Sequence, residues 1–224
     1  MMLAHPQMES VIDFSSSGIN TLVIENQNFF RSFLQDIRFQ IDGFPGKTIL
    51  SEKAVPLDWS KRGELLDSYL SFQLNRKSLL TKITASMEAV ATSEEFYTRT
   101  MELLSQIECC ECCLDDLAFS KDCDVGCGEA TVSALLKTAG VSLRDDYIDP
   151  LERLLDYMEL VRSYERDKVF VFVNLRSFFA DDSIRSFLRT AIDHQLTLLL
   201  VDAWDHPKLP EETRLIIDKD LCEI

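Results

Sequence analysis

Acidic side chains are concentrated between residues 108 and 129, on a predicted helix and the loop that follows it. Glu111 and Asp115 are four residues apart, so they share one helical face, where two carboxylates repel each other unless a cation lies between them. Calcium takes about six to eight hard oxygen ligands, which a cluster of this size could supply. The predicted metal-binding residues are Glu111, Asp115, Asp116, Asp122, Asp124 and Glu129. The spacing of an EF-hand is not met, and a solvated acidic surface is the alternative.

Six of the seven cysteines lie in the same region, at positions 109, 110, 112, 113, 123 and 127. Thiolates are good zinc ligands, but adjacent cysteine pairs on one helix cannot close a tetrahedron around one ion without help from the loop. The paired short spacings of zinc fingers and ribbons are absent. The pattern favours reduced, buried thiols that pack as small apolar side chains.

Basic side chains are concentrated elsewhere, in residues 43–83. The whole chain has a net charge of −15, yet this segment holds seven lysines and arginines against four acidic residues. Such a segment is either a solvated face or a surface for a polyanion, because the local field and not the net charge sets the affinity for phosphates. The candidate DNA-binding residues are Lys53, Lys61, Arg62, Arg76, Lys77 and Lys82.

The stretch Gly43-Phe44-Pro45-Gly46-Lys47-Thr48 ends like a phosphate-binding P-loop, but it has only two residues between its glycines. A P-loop also follows a strand and precedes a helix, so that amides at the helix N-terminus point at phosphate. Here a predicted helix precedes the stretch and an extended segment follows it. We therefore expect a plain turn and no nucleotide hydrolysis.

Catalytic patterns are weak throughout the chain. The three histidines, His5, His194 and His206, do not pair by motif with a serine or cysteine nucleophile. A nuclease of the restriction type needs an acid followed by Glu-x-Lys, whereas Glu52 and Lys53 are adjacent. The sequence predicts a protein without enzymatic activity.

The elements that must position these residues begin and end with buried strands. Apolar runs predict strands at residues 20–25, 168–174 and 196–201, and a last strand at 214–218. A hairpin is predicted from strands 47–50 and 54–57. Residues 60–119 contain no proline and read as a pair of long antiparallel helices joined near residues 91–93.

A sheet built from both ends of the chain implies one discontinuous α/β domain with an insertion. We expect a degenerate Rossmann- or P-loop-like sheet domain formed by residues 1–59 and 143–224, with an inserted α-helical subdomain at 60–142. Within the second part, Asp149 and Pro150 should open one helix, and Asp181 or Asp182 should cap another.

No apolar run approaches the roughly 20 residues that a membrane-spanning helix needs. The start of the chain lacks the basic and apolar regions of a signal peptide. The sequence therefore predicts a cytoplasmic protein with no membrane partner.

Several of these segments, taken in order, resemble the accessory spacer-acquisition (adaptation) protein of type II-A CRISPR systems. They are the opening strand and Asn26 at 20–26, the hydrophobic stretch at 136–141, Val171-Phe172-Val173-Asn174, the apolar strand at 198–201, and the closing Ile217-Asp218-Lys219-Asp220. The resemblance extends over nearly the whole chain and rests on order and length, since its motifs are hydrophobic and diffuse.

The resemblance implies a homotetrameric ring of α/β heads and helical legs, with calcium bound near the leg. It also implies non-enzymatic binding of double-stranded DNA ends through the central hole. The expected partners are the integrase pair and the RNA-guided nuclease of the same CRISPR system. A degenerate nucleotide-binding α/β regulator and a protein-interaction scaffold are the competing hypotheses.

Overall fold

The computed structural model describes the backbone of residues 1–15, 19–119 and 131–224, and the side chains of the same residues except 109–119. Its strands are β1 (Met2–Ala4), β2 (Ile12–Asp13), β3 (Ile19–Ile24), β4 (Ile49–Glu52), β5 (Val55–Leu57), β6 (Gly63–Leu66), β7 (Val169–Val173), β8 (Thr197–Asp202) and β9 (Thr213–Ile217). Its α-helices are α1 (Gln27–Ile41), α2 (Trp59–Arg62), α3 (Lys77–Ala91), α4 (Tyr97–Phe119), α5 (Val132–Thr138), α6 (Pro150–Tyr164) and α7 (Asp181–Asp193). The fold is mixed α/β, as predicted.

The chain divides into two compact units. The first unit contains Met1–Gln73 and Asp145–Ile224, and the second contains Leu74–Arg144. The predicted start of the inserted helical segment is residue 60, whereas the second unit begins at Leu74. Within the described ranges, we find no helix long and apolar enough to cross a membrane.

A five-stranded parallel sheet forms the centre of the first unit, in the order β6-β7-β8-β3-β9. Every residue of β3 is buried, as are residues 198–202 of β8. Burial along the whole strand is typical of parallel strands covered on both faces. The predicted strands near residues 20, 168, 196 and 214 are therefore confirmed, with their ends shifted by one residue.

Helices cover both faces of this sheet. On one face, Phe29, Phe33 and Ile37 of α1 lie in the hydrophobic core that includes Leu22 and Val201 of the central strands. On the other face, Phe187 of α7 packs edge-on against Phe172 of β7, with ring centroids 5.6 Å apart. This arrangement leaves the C-terminal ends of the parallel strands accessible between the two helical layers.

A small antiparallel sheet, in the order β2-β1-β4-β5, extends the core under α1. Its inward side chains Leu3, Ile12 and Leu50 belong to the same hydrophobic core as α1. The predicted hairpin is confirmed as β4 and β5, which pair antiparallel. Strands β1 and β2 were not predicted from the sequence.

The prediction of continuous helix from residue 60 is wrong over residues 63–76, because residues 63–66 form β6 and residues 67–76 are not helical. Gly63 ends the short helix α2 in an extended conformation, and the next residues pair with β7. Glu64 is buried there, where it accepts a hydrogen bond from the Tyr157 hydroxyl at 2.7 Å and lies 3.0 Å from the Lys168 ammonium. These partners are remote in sequence, so a local pattern of apolar residues could not reveal the strand.

One predicted helix start is confirmed and another is wrong. The Asp149 carboxylate accepts a hydrogen bond from the backbone amide of Leu151, and Pro150 occupies the first position of α6. At α7, however, the N-cap is Ala180, which makes no capping hydrogen bond through its side chain. Asp181 lies in the first turn and accepts a hydrogen bond from Arg176 instead, at 2.8 Å.

The second unit is helical. Helix α3 ends at Ala91, and the chain turns through residues 92–96 into α4, as predicted. The short helix α5 precedes Gly140, and its first turn is capped by the Thr131 hydroxyl. The side chain of Asn75 exchanges two hydrogen bonds with the backbone of Leu143, which ties the ends of this unit together.

The turn at Gly43–Thr48 lies between α1 and β4, and it binds a carboxylate of its own chain. Asp36 of α1 accepts hydrogen bonds from the backbone amides of Lys47 and Thr48, at 2.8 and 2.7 Å, and from the Thr48 hydroxyl at 2.6 Å. The amide of Gln40 donates to the same carboxylate at 3.0 Å. Because Asp36 occupies the position that an anion would take, this turn is not suited to bind phosphate.

Replacing Asp36 by asparagine should lower the free energy of unfolding by about 2 kcal/mol, because hydrogen bonds to a charged acceptor would be lost. Burial alone would raise the pKa of Asp36, but the hydrogen bonds from Thr48, Lys47 and Gln40 outweigh it and lower the pKa below its ordinary 3.8. The stabilisation is therefore present above pH 3.8 and is lost as the pH falls through the lowered pKa.

Urea unfolding of Asp36→Asn and of wild type, at pH 7 and near pH 3, measures this difference. The control is Asp42→Asn, which removes an exposed pair with Arg38 and should cost less than about 0.5 kcal/mol. Equal stability of Asp36→Asn and wild type at pH 7 would show that the carboxylate does not hold the turn.

Candidate functional site

The six candidate DNA-binding residues are divided between the two units. Three of them belong to the first unit. Lys53 is exposed at the tip of the β4–β5 hairpin, where it and Ala54 have positive φ angles of 49° and 62°. Lys61 lies 3.3 Å from Asp58 in an ion pair that is largely exposed. Arg62 is partly buried and lies 3.9 Å from the carboxylate of Glu52.

The other three residues lie at the start of α3 in the second unit. Arg76 occupies the N-cap position without a capping side-chain hydrogen bond, and Lys77 is the first helical residue. Lys77 and Lys82 are both exposed. No acidic residue is present in the first turn of this helix. The basic residues that are close to one another in the sequence therefore fall into two groups, one in each unit.

The predicted calcium ligands lie outside the described residues. The backbone at positions 111, 115 and 116 is part of α4, but their side chains, and the whole of residues 122, 124 and 129, are not described. The same is true of the six clustered cysteines; Cys222 is described and is an exposed free thiol. Among the side chains that are described, no group of three histidine, cysteine or acidic residues is placed to hold a metal ion.

His5 and His194, two of the three histidines, contact aromatic rings and a surface carboxylate, respectively. His5 packs against the rings of Phe29 and Phe33, with centroids 5.2 and 5.6 Å away, and burial lowers its pKa. His194 contacts the carboxylate of Glu159 at the surface. In the described part of the chain, neither histidine forms a hydrogen bond with a serine or cysteine side chain that would act as a nucleophile.

A buried ionic cluster near the carboxyl end of β8 is the feature that sequence reasoning missed. The Arg176 side chain is 1% exposed; it lies 2.8 Å from Asp181 and 3.6 Å from Glu212, whose side chain is fully buried. Glu212 also accepts a hydrogen bond from the Thr21 hydroxyl of β3 at 2.6 Å and contacts Arg214. The cluster fixes the loop between β8 and β9, because Arg176 donates to the carbonyl oxygen of Pro207 at 2.8 Å.

Asp202 is the member of this region without a hydrogen-bond partner. It is 1% exposed, and neither of its carboxylate oxygens has a partner among the described groups. Burial raises the pKa of Asp202 to about 7, and the nearby Glu212 adds to that effect, while Arg176 and Arg214 oppose it. The signal in the sequence was an acidic residue directly after the apolar run Leu198–Val201, at the C-terminal end of the parallel sheet, where such sheets bind ligands.

Replacing Asp202 by asparagine should stabilise the protein at alkaline pH. Because the folded pKa is raised from 3.8 to about 7, proton binding favours the folded state at low pH, and this contribution is lost as the pH rises through about 7. At pH 8.5 we expect a gain of about 2 kcal/mol, below the ceiling of about 4 kcal/mol that a shift of this size sets.

Melting curves at pH 5 and pH 8.5 measure this effect, with the exposed Asp67→Asn as control. The gain should appear only for Asp202→Asn, and it should be clearly larger at pH 8.5 than at pH 5, because the carboxyl ionises near pH 3.8 in the unfolded chain and only near pH 7 in the folded one. A gain of the same size at both pH values would mean that Asp202 is not neutral at pH 5.

Comparisons with known proteins identify a family for this chain and a solved structure with a similar fold. A family model described as CRISPR-associated protein (Cas_Csn2) matches residues 40–221, which include parts of both units. The fold is similar to the crystal structure of Stu0660 of Streptococcus thermophilus, with a TM-score of 0.57. The two chains are 14% identical, and the alignment covers 97% of this chain and 75% of Stu0660. Because the family model matches most of its length, the chain belongs to the CRISPR-associated Csn2 family.

Proposed function

We propose that the protein binds the ends of double-stranded DNA without cutting them, as a calcium-dependent homotetrameric ring in the cytoplasm. Membership of the Csn2 family confirms the predicted relationship and implies a role in CRISPR adaptation. Within that role, we propose that the protein acts beside the integrase pair and the RNA-guided nuclease of the same system. The observation that supports DNA binding is that basic residues occupy a hairpin turn and the start of a helix, two places where the backbone conformation or the helix dipole disfavours them.

Lys53 is the first of these positions. Two-residue hairpin turns with positive φ angles favour asparagine or glycine, because a side chain with a β-carbon costs about 1 kcal/mol in the left-handed region. The chain nevertheless has Lys53 and Ala54 there. A lysine retained in a strained conformation at an exposed tip supports a role in binding, since folding alone would select a different residue.

The start of α3 is the second position. The N-terminus of a helix carries partial positive charge, so acidic residues are favourable there and basic residues are not. Arg76 and Lys77 nevertheless precede and begin α3. A phosphate at this end of the helix would interact favourably with the cations and the helix dipole together.

Lys61 and Arg62 are suited to exchange their present partners for phosphate. The Lys61–Asp58 pair has side chains that are 68% and 50% exposed, so its contribution to stability is small. The Arg62–Glu52 pair is long, at 3.9 Å. Contacts of this kind would go to the DNA backbone, and recognition should therefore not depend on sequence.

Calcium binding rests on the chemistry of the predicted donors. Glu111, Asp115, Asp116, Asp122, Asp124 and Glu129 supply only hard oxygen atoms, which suit calcium. When bound, the ion would neutralise the repulsion among these carboxylates. We propose that this neutralisation supports the folded second unit and, through it, the assembly.

The absence of enzymatic activity is also a proposal. It is supported by the turn at 43–48, where Asp36 fills the position of a phosphate, and by the surroundings of His5 and His194. We further propose that the parallel sheet is a degenerate relative of Rossmann and P-loop sheets, because a helix follows its first parallel strand and helices cover both faces.

ATP hydrolysis that co-purifies with the protein and is abolished by Lys47→Ala would contradict the non-enzymatic assignment.

Linear duplex DNA should bind at low salt, whereas covalently closed circles should not, because a closed ring can load duplex only from an end. The logarithm of the affinity should fall with the logarithm of salt, with a slope of about −0.9 for each phosphate contact. Replacing Lys53, Lys61 or Lys77 by alanine should each make this slope shallower by roughly one contact.

Gel shifts with linear and closed circular duplex, over a salt series, measure both effects. Lys208→Ala in the first unit and Lys137→Ala in the second are matched controls, since both lysines are exposed and lie outside the predicted set. Equal binding to closed circles would exclude loading from ends. A salt slope unchanged by all three substitutions would show that the basic groups are solvated surface only.

Removal of calcium should lower the melting temperature or dissociate the oligomer, because the clustered carboxylates repel each other without a cation. The double substitution Asp122→Asn and Asp124→Asn should have the same effect in the presence of calcium. Glu94→Gln with Glu95→Gln, at exposed positions of the same unit, is the control. Identical melting and identical mass by light scattering, with calcium and with chelator, would rule out the metal.

A further inference from the structure

A crevice opens at the carboxyl ends of β3, β8 and β9. It has a volume of about 440 Å³ and is lined by Ile24, Glu25, Phe30, Trp204, Asp205 and Lys219, among others. The connection after β3 leads toward the β6 edge of the sheet, and the connection after β8 leads to β9 on the opposite side. Such a change of direction is where open parallel sheets bind ligands.

Trp204 offers an aromatic surface at this crevice. Its side chain is 64% exposed, whereas the other tryptophan, Trp59, is buried and donates a hydrogen bond to the carbonyl oxygen of Thr48. The backbone before Trp204 is fixed, because the amide of Ala203 donates to the side chain of Asn174 at 2.9 Å. An exposed indole on an anchored backbone is a platform for stacking a planar ring.

Two groups of opposite charge accompany the indole. The backbone amide of Glu25 donates to the carbonyl oxygen of Ile217 at 2.9 Å, and the Asn26 side chain donates to the carbonyl oxygen of Lys219 at 2.8 Å. These bonds hold the segments that carry Glu25 and Lys219 side by side. Neither side chain forms an ion pair with a described residue, whereas Asp205 is paired with Arg214 at 2.5 Å.

We propose that this crevice binds a guanine base. The ring would stack on Trp204, the Glu25 carboxylate would accept hydrogen bonds from the two donors of the guanine Watson–Crick edge, and the Lys219 ammonium would donate to the guanine O6 and N7 acceptors. Adenine presents an acceptor where guanine presents its ring N–H donor, so it would face Glu25 with an unpaired lone pair. The proposal is independent of duplex binding by the basic groups described above.

The proposal is tested by the fluorescence of Trp204. Guanosine should quench it with a saturable curve in the micromolar to millimolar range, and adenosine should require at least about a tenfold higher concentration. Glu25→Gln and Lys219→Met should each weaken guanosine binding about tenfold, while Lys208→Met on the neighbouring loop should not. Melting curves of each variant establish that it is folded.

Calorimetry with Trp204→Ala separates binding from the optical signal, and guanosine should release no heat with this folded variant. Absence of saturable quenching by guanosine, equal quenching by adenosine, or unchanged affinity in Glu25→Gln would each overturn the proposal.

The base could come from a free nucleotide or from an unpaired DNA end. Duplexes that carry a single-stranded guanine overhang or a thymine overhang distinguish the two sources. A preference for the guanine overhang that Trp204→Ala removes identifies the DNA end as the source. Binding of guanosine without such a preference identifies a free nucleotide, and both results support the guanine site.

Discussion

The pairing of β3 with β8 and β9 is the interaction on which the rest of the structure depends. Leu22 of β3 lies opposite Val201 on one side and Leu215 on the other, so the start of the chain is held between two segments near its end. Closing such long loops costs conformational entropy, and the burial of apolar side chains on both faces of the sheet must offset it. The same pairing brings Thr21 to Glu212, and it places Glu25 beside the segment that follows β9.

The central strands could be predicted because an apolar run identifies each of them without information from residues elsewhere in the chain. A wholly apolar run such as Leu198–Val201 has no solvent-facing alternative, and it identifies a strand that is covered on both faces. Strand β6 lacks such a run. Three of its four residues are buried, and one of these is Glu64, whose partners Tyr157 and Lys168 come from far along the chain.

The polar features of the candidate site show the same limit. The six candidate basic residues are close to one another along the chain, but they lie in different units of the fold. Lys53, Lys61 and Arg62 belong to the first unit, and the three residues at α3 belong to the second. The bond between Thr21 and Glu212 joins residues that no local pattern relates. Asp202 was missed as well, although the sequence does carry a signal for it: an acid at the end of an apolar run lies at the C-terminal end of the sheet, where parallel sheets bind ligands.

An acidic protein binds a polyanion only if its cations are grouped where the polyanion passes, and the proposed function depends on this. Lys53 and Lys77, one in each unit, represent the two groups. Fluorescence anisotropy with a linear duplex, at low salt and with calcium, tests this claim most directly. The double variant Lys53→Ala, Lys77→Ala should bind at least about tenfold more weakly than wild type, and the control Lys137→Ala, Lys208→Ala should bind like wild type. Equal affinity of all three proteins would contradict the account.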